Sequence, residues 1–518
     1  MLQDPPSSQR YDVEPVNSSK RREPLYAARK KIFPKRANGR FRKFKWLVML
    51  ITLTIYYVTP WLRWDRGPFA PDQAVLVDLA NRRFYFFFIE IWPQEFYYVA
   101  GLLVMAGIGL FLVTSTVGRA WCGYACPQTV WVDLFLVVER QIEGDRNARI
   151  KLDAAPWTFD KIIKRVSKHA IWLLIGVTTG GAWIFYFADA PSLLVSFVTL
   201  QAPLVAYVTV ALLTATTYVF GGLLREQVCT YMCPWPRIQG AMLDEHSLTV
   251  TYNDWRGEPR SRHAKKALAE NKPVGDCVDC NACVVVCPMG IDIRDGQQLE
   301  CITCALCIDA CDDVMDKLGK ERGLISYATL NDHQHNMALA TGTGKVVQPS
   351  RIRDKATGRL IDAIKLTDWR SIIRPRTIVY TLVLAIVGLG MLTALALRSP
   401  LAVNVLHDRN PLYVQMRDGS VSNGFDIKIL NMTPEPRTVS LSITGLEGAI
   451  LSAADQTTAG GPVMLDLEPD KVMSLRAYVQ VPPETLPAAQ TRFVIGVSST
   501  DGAIHTQAET TFEVPETK

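Results

Sequence analysis

The sequence lacks the short motifs by which proteins attach or bind most organic redox cofactors. It contains no C-x-x-C-H motif, so covalent attachment of a c-type haem is not indicated. No G-x-G-x-x-G follows a strand and opens a helix, so a nicotinamide or flavin dinucleotide fold is not indicated either. No cysteine occurs after Cys311. These absences predict that electrons come from a partner or a small reductant, and they direct attention to the earlier cysteines.

The sequence also lacks a strong charge bias and a cleavable signal pattern. The net charge is +6, and only 20% of the 518 residues are charged, whereas 48% are hydrophobic. Membrane spans are therefore expected. The first apolar run begins near Trp46 without a small-residue cleavage site, so we expect it to remain in the chain.

Eight of the twelve cysteines form two C-x2-C-x2-C-x3-C runs. This is the spacing of bacterial ferredoxins with two 4Fe–4S clusters, in which the fourth cysteine of each run binds the other run's cluster. One cluster is thus assigned to Cys277, Cys280, Cys283 and Cys311, and the second to Cys301, Cys304, Cys307 and Cys287. Two structural zinc sites are the alternative, but the repeated spacing favours iron–sulfur clusters. This use of cysteine also fits a reducing compartment better than a disulfide framework.

Five apolar stretches are predicted to cross a membrane, at 46–62, 96–116, 170–188, 203–224 and 378–397. The segment 20–45 and the connection 117–169 are basic, whereas the link 189–201 carries no Lys or Arg. The positive-inside rule then places the N-terminus and the long loop 225–376 in the cytoplasm and the C-terminus outside, although four arginines in 63–92 favour the reverse. A nucleic-acid-binding arm is the alternative for segment 20–45, but a basic flank beside an apolar run more often marks a span.

These patterns predict a membrane α-helical protein with two further domains. The predicted segments are a disordered basic arm at 1–43, a four-span region at 44–224 with a cytoplasmic loop at 117–169, a cytoplasmic region at 225–330 with the ferredoxin domain at about 273–330, a linker at 331–376, the fifth span at 377–398, and a β domain at 400–518. In the last segment, period-two runs alternate with turn residues, which predicts a small antiparallel β-sandwich with a binding or scaffold role.

Two C-x-Y-x-C-P motifs mark an internal repeat. Cys122 and Cys126 follow the second predicted span, and Cys229 and Cys233 follow the fourth. Cysteines at i and i+4 share one face of a helical turn, and the proline after them stops or kinks a helix. The chain is therefore predicted to be a duplicated membrane hairpin with a thiol pair at the cytoplasmic end of each repeat.

Four interpretations of these thiol pairs stay open. Each pair could bind Cu(I), which prefers sulfur, or cycle between dithiol and disulfide. The two pairs could together hold a further iron–sulfur cluster, or all four could be inert buried cysteines. The repetition of residue types argues against inert cysteines and favours copper or thiol redox chemistry. His169 and His246 are candidate third ligands, although a lone histidine is more often a surface or core residue.

With these residues assembled, the chain resembles the FixG/CcoG/RdxA family, the accessory proteins of cbb3-type cytochrome c oxidases. Stretches 139–146, 256–260 and 374–376 are also similar to that family. The resemblance implies five spans, an inserted ferredoxin domain with two 4Fe–4S clusters, and a C-terminal Ig-like sandwich in the bacterial inner membrane. It also implies reduction of Cu(II) to Cu(I), in which Cys122, Cys126, Cys229 and Cys233 receive or reduce copper.

The sequence and the resemblance leave three candidate functions. The favoured one is a cupric reductase that acts in oxidase assembly, and the others are a quinol-linked membrane electron conduit and a non-enzymatic assembly scaffold. The expected partners are the lipid bilayer, the cbb3-type oxidase subunits or their copper-delivery proteins, and an electron donor that the sequence does not identify. No nucleic-acid partner is expected.

Overall fold

The computed structural model describes residues 11–17 and 30–515. Within the second range it leaves out residues 69, 343, 345, 355–356, 369–370, 434, 454–455, 460, 488–489, 501 and 503. The chain divides into two compact units. The first comprises Met1–Leu62, Val75–Tyr85 and Glu90–Leu389, and the second comprises Arg63–Ala74, Phe86–Ile89 and Gly390–Lys518.

The first unit is mostly helical, and its last helix continues into the second unit. The α-helices are α1 (Arg40–Val58), α2 (Tyr97–Val117), α3 (Ala120–Tyr124), α4 (Pro127–Glu143), α5 (Arg146–Ala154), α6 (Phe159–Ile184), α7 (Ala190–Val198), α8 (Leu204–Thr217), α9 (Trp235–Met242), α10 (Asp254–Gly257), α11 (Ala264–Ala269), α12 (Ala282–Val285), α13 (Leu306–Lys317), α14 (Leu330–Thr341) and α15 (Pro375–Ala396). Tyr218–Leu224 and Val228–Met232 are π-helical. Between α1 and α2 lies a small sheet in the order β1 (Val75–Asp78), β2 (Arg83–Phe86), β3 (Ile89–Ile91).

Within the described part of the chain, three helical stretches are long and apolar enough to cross a membrane. They are Pro93–Val117, Leu204–Leu224 and Pro375–Ala396, with mean hydropathies of 2.2, 1.7 and 2.4. The first contains α2, the second is α8 extended by a π-helical segment, and the third is α15. They confirm that the second, fourth and fifth predicted spans are helices of spanning length, and they support a membrane protein.

The predicted total of five spans is not confirmed. The predicted stretches 46–62 and 170–188 lie largely in α1 and α6, but both helices carry several Lys and Arg residues in their N-terminal halves. After Lys45 only 13 residues of α1 remain, up to Val58, and after Lys168 only 16 residues of α6 remain, up to Ile184. Both lengths fall short of the roughly 17 residues that a crossing helix requires. These two crossings therefore stay a prediction.

α6 approaches α8 closely because two glycines one helical turn apart lie at the contact. A Cβ atom on Gly176 would stand 3.2 Å from the carbonyl oxygen of Thr214, and one on Gly180 would stand 2.9 Å from that of Val210. Small residues at this four-residue spacing let the backbones of membrane helices meet. α6 therefore lies along a helix of spanning length, as a membrane hairpin requires.

The cysteine-rich domain is closed by a two-stranded sheet. β4 (Thr249–Tyr252) pairs antiparallel with β5 (Ile325–Ala328), so the segments before and after the cysteine loops meet. α12 and α13 each begin inside one of the two C-x2-C-x2-C loops. The core of the domain contains Val250, Val284, Ile293, Ile308, Met315 and Leu324.

The described parts of the N-terminal arm lie against this domain, so the predicted disorder of segment 1–43 does not hold for residues 11–17 and 30–43. The backbone N–H of Tyr11 donates to the carbonyl of Cys280 (3.0 Å), and that of Lys35 donates to the carbonyl of Val285 (2.9 Å). Residues 40–43 belong to the first turn of α1. Composition does not reveal these contacts because they join segments that are far apart in the sequence. Residues 1–10 and 18–29 of the predicted arm lie outside the described residues.

The predicted linker 331–376 also differs, because it contains most of α14 and a small core. Ala340, Ile352 and Ile364 are buried together with Trp255. The few apolar residues of this polar segment are widely spaced along the chain, so the sequence shows no periodic run. Tertiary packing on one tryptophan gathers them.

The second unit contains an antiparallel β-sandwich, as predicted. Its strands are β6 (Leu401–His407), β7 (Val414–Gln415), β8 (Val421–Asn431), β9 (Arg437–Thr444), β10 (Ile450–Ala453), β11 (Gln456–Ala459), β12 (Val463–Leu467), β13 (Lys471–Val481), β14 (Thr491–Ser499) and β15 (His505–Phe512). One sheet has the order β11-β10-β13-β8-β6, with β7 also paired to β8, and the other has the order β12-β9-β14-β15. Alternate residues of β8 point inward, and Phe425, Phe493 and Phe512 fill the core.

Candidate metal centres

The two cysteine loops have the same backbone conformation. The residues on either side of the middle cysteine have positive φ in both loops: Asp279 (50°) and Asn281 (60°) flank Cys280, and Thr303 (55°) and Ala305 (59°) flank Cys304. Positive φ is uncommon for residues other than glycine. A helix begins directly after the second of these residues in each loop, at Ala282 and at Leu306. The two loops are therefore built alike.

The fourth cysteine of each run lies with the loop of the other run. Burial raises the pKa of the Cys311 thiol, and Cys277 and Cys280 of the first loop add to the rise. Burial raises the pKa of Cys287 to about 12, and Cys304 and Cys301 of the second loop contribute. The structure thus brings together two groups of thiols. We call them quartet A (Cys277, Cys280, Cys283 and Cys311) and quartet B (Cys287, Cys301, Cys304 and Cys307).

Both quartets fit an iron–sulfur cluster by their donor atoms and their surroundings. All four thiols of quartet B line one cavity together with Ile291 and Ile302. Three thiols of quartet A belong to the apolar core that contains Val284, Ile293 and Met315. Four cysteine sulfurs in an apolar enclosure are the donor set of a 4Fe–4S cluster. A metal that binds there replaces the thiol protons.

Arg294 is a residue of this site that the sequence did not reveal. Its guanidinium donates to Asp279 (2.8 Å), to Asp292 (2.7 Å) and to the side-chain oxygen of Asn281 (2.8 Å). Burial raises the pKa of the Cys283 thiol, and the positive charge of Arg294 opposes that rise. Arg294 therefore holds the first loop in place and favours anionic sulfur in quartet A. No spacing rule points to it.

The four cysteines of the C-x-Y-x-C-P motifs, which we call the thiol site, lie near one another although Cys122 and Cys229 are 107 positions apart. Burial raises the pKa of Cys122 to about 11, and Cys126 and Cys233 add to the rise. Burial raises the pKa of Cys229 to about 12, with contributions from Cys126, Cys122 and Cys233. Cys122 is buried, whereas Cys233 is exposed. The two repeats therefore build one site between them.

Neither motif forms the regular α-helical turn that the i, i+4 spacing predicts. α3 ends at Tyr124, so Cys126 lies just before α4, whose first residue is Pro127. In the second motif Cys229 lies in a π-helical turn, and Cys233 follows it. Proline suits the start of a helix because its missing N–H has no helical partner there. Each motif is therefore a break between two helices.

The two candidate histidine ligands lie elsewhere. His169 Nδ1 is 2.9 Å from the hydroxyl of Tyr218. His246 is exposed, and its backbone N–H donates to Asp244 (3.0 Å). Within the described part of the chain, no three His, Cys, Asp or Glu side chains form a group that could hold a single metal ion. The structure does not bring either histidine to the thiol site.

The first motif packs directly on the loop of quartet B. A Cβ atom on Gly123 would stand only 2.6 Å from the carbonyl oxygen of Ile302 and 3.1 Å from the Cα atom of Cys304. The Tyr124 hydroxyl donates to the carbonyl of Cys304 (3.1 Å). Cys122 shares a buried cluster with Ile302 and Cys304. The thiol site and quartet B are therefore neighbours in one packed core, and only glycine fits at position 123.

Arg119 and Gln239 complete this contact, and sequence reasoning missed both. Burial raises the pKa of Cys122 and of Cys301, each to about 11, and the charge of Arg119 opposes both rises. Its guanidinium donates to the carbonyl of Leu299. The Cys122 thiol donates to the side-chain oxygen of the buried Gln239 (3.0 Å). One cation therefore serves the thiol site and quartet B.

Glu139 joins α4, which begins directly after Cys126 of the first motif, to neighbouring segments. It pairs with Arg149 (2.9 Å), Arg225 (3.1 Å) and Lys168 (3.5 Å). Burial alone would raise the pKa of this carboxyl, but the charges of Arg225, Arg149 and Lys168 lower it to about 2. The network ties α4 to α5, to α6 and to Arg225, which directly follows the first π-helical segment. It lies within stretch 139–146, one of those similar to the family named above.

Protein-family models match three parts of the chain. A 4Fe–4S dicluster domain matches residues 224–330, a 4Fe–4S binding domain matches residues 99–142, and the Ig-like fold at the C-terminus of FixG matches residues 391–515. The first match covers both quartets, Cys229 and Cys233, and the second covers Cys122 and Cys126. These matches imply iron–sulfur electron transfer.

Curated relatives match over most of their length. The nitrogen fixation protein FixG of Rhizobium meliloti is 70% identical over 475 residues, which are 91% of this chain and 90% of that protein. Protein RdxB of Cereibacter sphaeroides is 54% identical over 456 residues, 88% of this chain and 90% of the relative. A solved structure of a FixG-related protein from Vibrio parahaemolyticus is 21% identical and covers 22% of this chain and 97% of its own, with a TM-score of 0.20.

Proposed function

This chain belongs to the FixG family, and from that membership we propose that it is a membrane-bound cupric reductase, which reduces Cu(II) to Cu(I) for assembly of a cbb3-type cytochrome c oxidase. Electron transfer through 4Fe–4S domains follows from the family matches. The copper substrate and the oxidase as its destination are the proposal.

The observation that carries the proposal is the contact between the thiol site and quartet B. Thiols from two distant motifs lie close enough to influence one another electrostatically, and Gly123 lets the first motif touch the loop of quartet B. Sulfur ligands select soft ions such as Cu(I) over hard ones. A soft-metal site in direct contact with an electron-transfer domain is what a copper reductase requires.

The chain's own residues divide the work. The eight cysteines of quartets A and B would hold two 4Fe–4S clusters, which supply one-electron transfer when bound. Cys122, Cys126, Cys229 and Cys233 would bind copper, and Cu(I) is retained after reduction because it prefers thiolate over water. Arg119 opposes the effect of burial on Cys122 and so favours its thiolate form.

The proposal extends to location and partners. We expect a multi-pass protein of the bacterial inner membrane, with the N-terminus and both quartets in the cytoplasm and the sandwich in the periplasm, because the basic segments 20–45 and 117–169 then face the cytoplasm. The copper would pass to oxidase subunits or to their copper-delivery proteins. Reporter fusions at residue 200 and after residue 518 test this orientation, since both positions are expected in the periplasm.

Copper reduction by the purified protein tests the function. Full-length protein in detergent, supplied with dithionite and Cu(II) without oxygen, should form Cu(I) that a chromophoric chelator detects. The paired variants Cys122→Ser/Cys126→Ser and Cys229→Ser/Cys233→Ser should each lose most of the rate above the background of dithionite alone, because each removes half of the thiol site.

The iron–sulfur absorbance of each variant serves as the control for folding, and it should equal that of the wild type. Variants that reduce copper at the wild-type rate would show that the thiol site is not the copper site. A wild-type protein that leaves copper oxidised but accepts electrons from a quinol would instead establish a quinol-linked conduit.

A further inference from the structure

The thiol site opens to solvent through a cavity of about 190 Å³ beside the second motif. Its lining includes Cys229, Met232, Cys233, Arg237 and Glu300. Because a water molecule occupies about 30 Å³ of liquid, the cavity has room for roughly six waters. It is therefore large enough to admit a metal ion together with its water shell.

The two motifs contribute unequally to this opening. The second motif supplies every residue from Cys229 to Pro234 to the lining, whereas the first motif turns Cys122 inward against quartet B. The residue before the second cysteine is Met232 in one motif and Ala125 in the other. Met232 is 54% exposed, an unusual degree for a methionine. The outer side of the site thus carries an exposed thioether beside its thiols.

We infer that Met232 and Cys233 form the capture end of the thiol site, where a copper ion from solvent is first bound and where Cu(I) is held. The inference rests on the proposed function and adds to it the side from which copper arrives and a ligand outside the cysteine motifs. A thioether is a soft ligand that suits Cu(I), and it has no proton that the metal must displace.

Direct binding of Cu(I) tests the inference without any reduction step. Full-length protein in detergent is titrated with Cu(I) under anaerobic conditions against a chromophoric Cu(I) chelator, with wild type, Met232→Leu and Met232→Cys compared. Leucine keeps the size and apolar character but removes the sulfur, so Met232→Leu should weaken Cu(I) binding roughly ten-fold, within the range for loss of a supporting interaction at a metal site. Met232→Cys keeps a sulfur and should stay near the wild-type affinity.

Met464→Leu is the matched control, because Met464 is an exposed methionine (40%) on β12 of the sandwich and should not affect the affinity. The iron–sulfur absorbance reports that each variant is folded. Equal affinity of wild type and Met232→Leu would overturn the inference and assign the exposed thioether to a lipid or packing contact, while the proposed function would stand. A wild-type protein that binds no Cu(I) would overturn the proposed function itself.

Discussion

Gly123 and Arg294 help to position the candidate metal centres. Gly123 does so because it has no side chain, and Arg294 does so through its guanidinium. Gly123 leaves the space that the carbonyl oxygen of Ile302 occupies, so the first motif and the loop of quartet B can touch. Arg294 supplies a buried positive charge and four side-chain hydrogen bonds behind quartet A. Neither residue is a metal ligand, and each makes a separate prediction.

Gly123→Ala should loosen the contact between the thiol site and quartet B. The added Cβ would stand 2.6 Å from backbone atoms that cannot move aside cheaply, and overpacking of this kind costs about 1–3 kcal/mol. We expect the iron–sulfur absorbance to be lost at a lower temperature on heating. Gly109→Ala is the control, because a Cβ there meets nothing within 4 Å. Equal midpoints for the two variants would contradict the packing described above.

Arg294→Gln should make the cluster of quartet A harder to reduce. Loss of a buried cation near Cys283 and Cys277 destabilises the extra negative charge of the reduced state. The potential should shift to lower values, by about 59 mV for each tenfold change in the equilibrium. Redox titration followed by EPR measures this shift. Arg294→Lys, which keeps the charge, should stay closer to the wild type, and Arg322→Gln on the surface should not change the potential.

At the scale of helices, the Glu139 network is what fixes α4, α5 and α6 around the first motif. Its carboxylate is 6% exposed and faces three cations. Breaking a buried ion pair by removing one partner typically costs 3–5 kcal/mol, because the other charge stays buried without compensation. α4, α5 and α6 are therefore held together by ion pairs as well as by apolar packing.

Glu139→Gln should therefore lower the melting temperature at neutral pH and also change the acid limb of stability. The pKa of Glu139 is lowered from 4.5 to about 2 in the folded protein. A carboxyl with a lowered folded-state pKa stabilises the protein above the unfolded value, and this contribution is lost as the pH falls from about 4.5 to 2. The variant should lose less stability than the wild type over that interval. Melting in detergent as a function of pH measures this, and the exposed Glu245→Gln should behave as the wild type.

Local patterns in the sequence were sufficient for some elements and not for others. The three most apolar spans and the strands of the sandwich could be predicted because their hydrophobic patterns are contained in single stretches of chain. The cysteine rhythm is local too, because each run is contained in one short stretch of chain. The arm at 30–39, α14 and the meeting of Gly123 with Ile302 could not be predicted, since they depend on contacts between segments far apart in sequence.

At the scale of the whole molecule, the sandwich has a core of its own, formed among the described residues by side chains from Leu401 to Val514. Deletion of residues 399–518 should therefore leave copper reduction by the purified protein close to the wild-type rate. If the sandwich binds oxidase subunits, cells that express the truncated protein should contain less active cbb3-type oxidase in their membranes. Normal oxidase levels with the truncated protein would remove the docking role.

We propose that electrons leave the iron–sulfur domain through the thiol site, and a single-turnover measurement tests this claim. Protein is reduced, freed of excess reductant and mixed with Cu(II) in a stopped-flow instrument without oxygen, while the recovery of iron–sulfur absorbance and the appearance of Cu(I) are recorded. We predict that the wild type recovers as Cu(I) appears, whereas Cys122→Ser/Cys126→Ser and Cys229→Ser/Cys233→Ser keep their clusters but stay bleached. Recovery of both variants at the wild-type rate would contradict the claim.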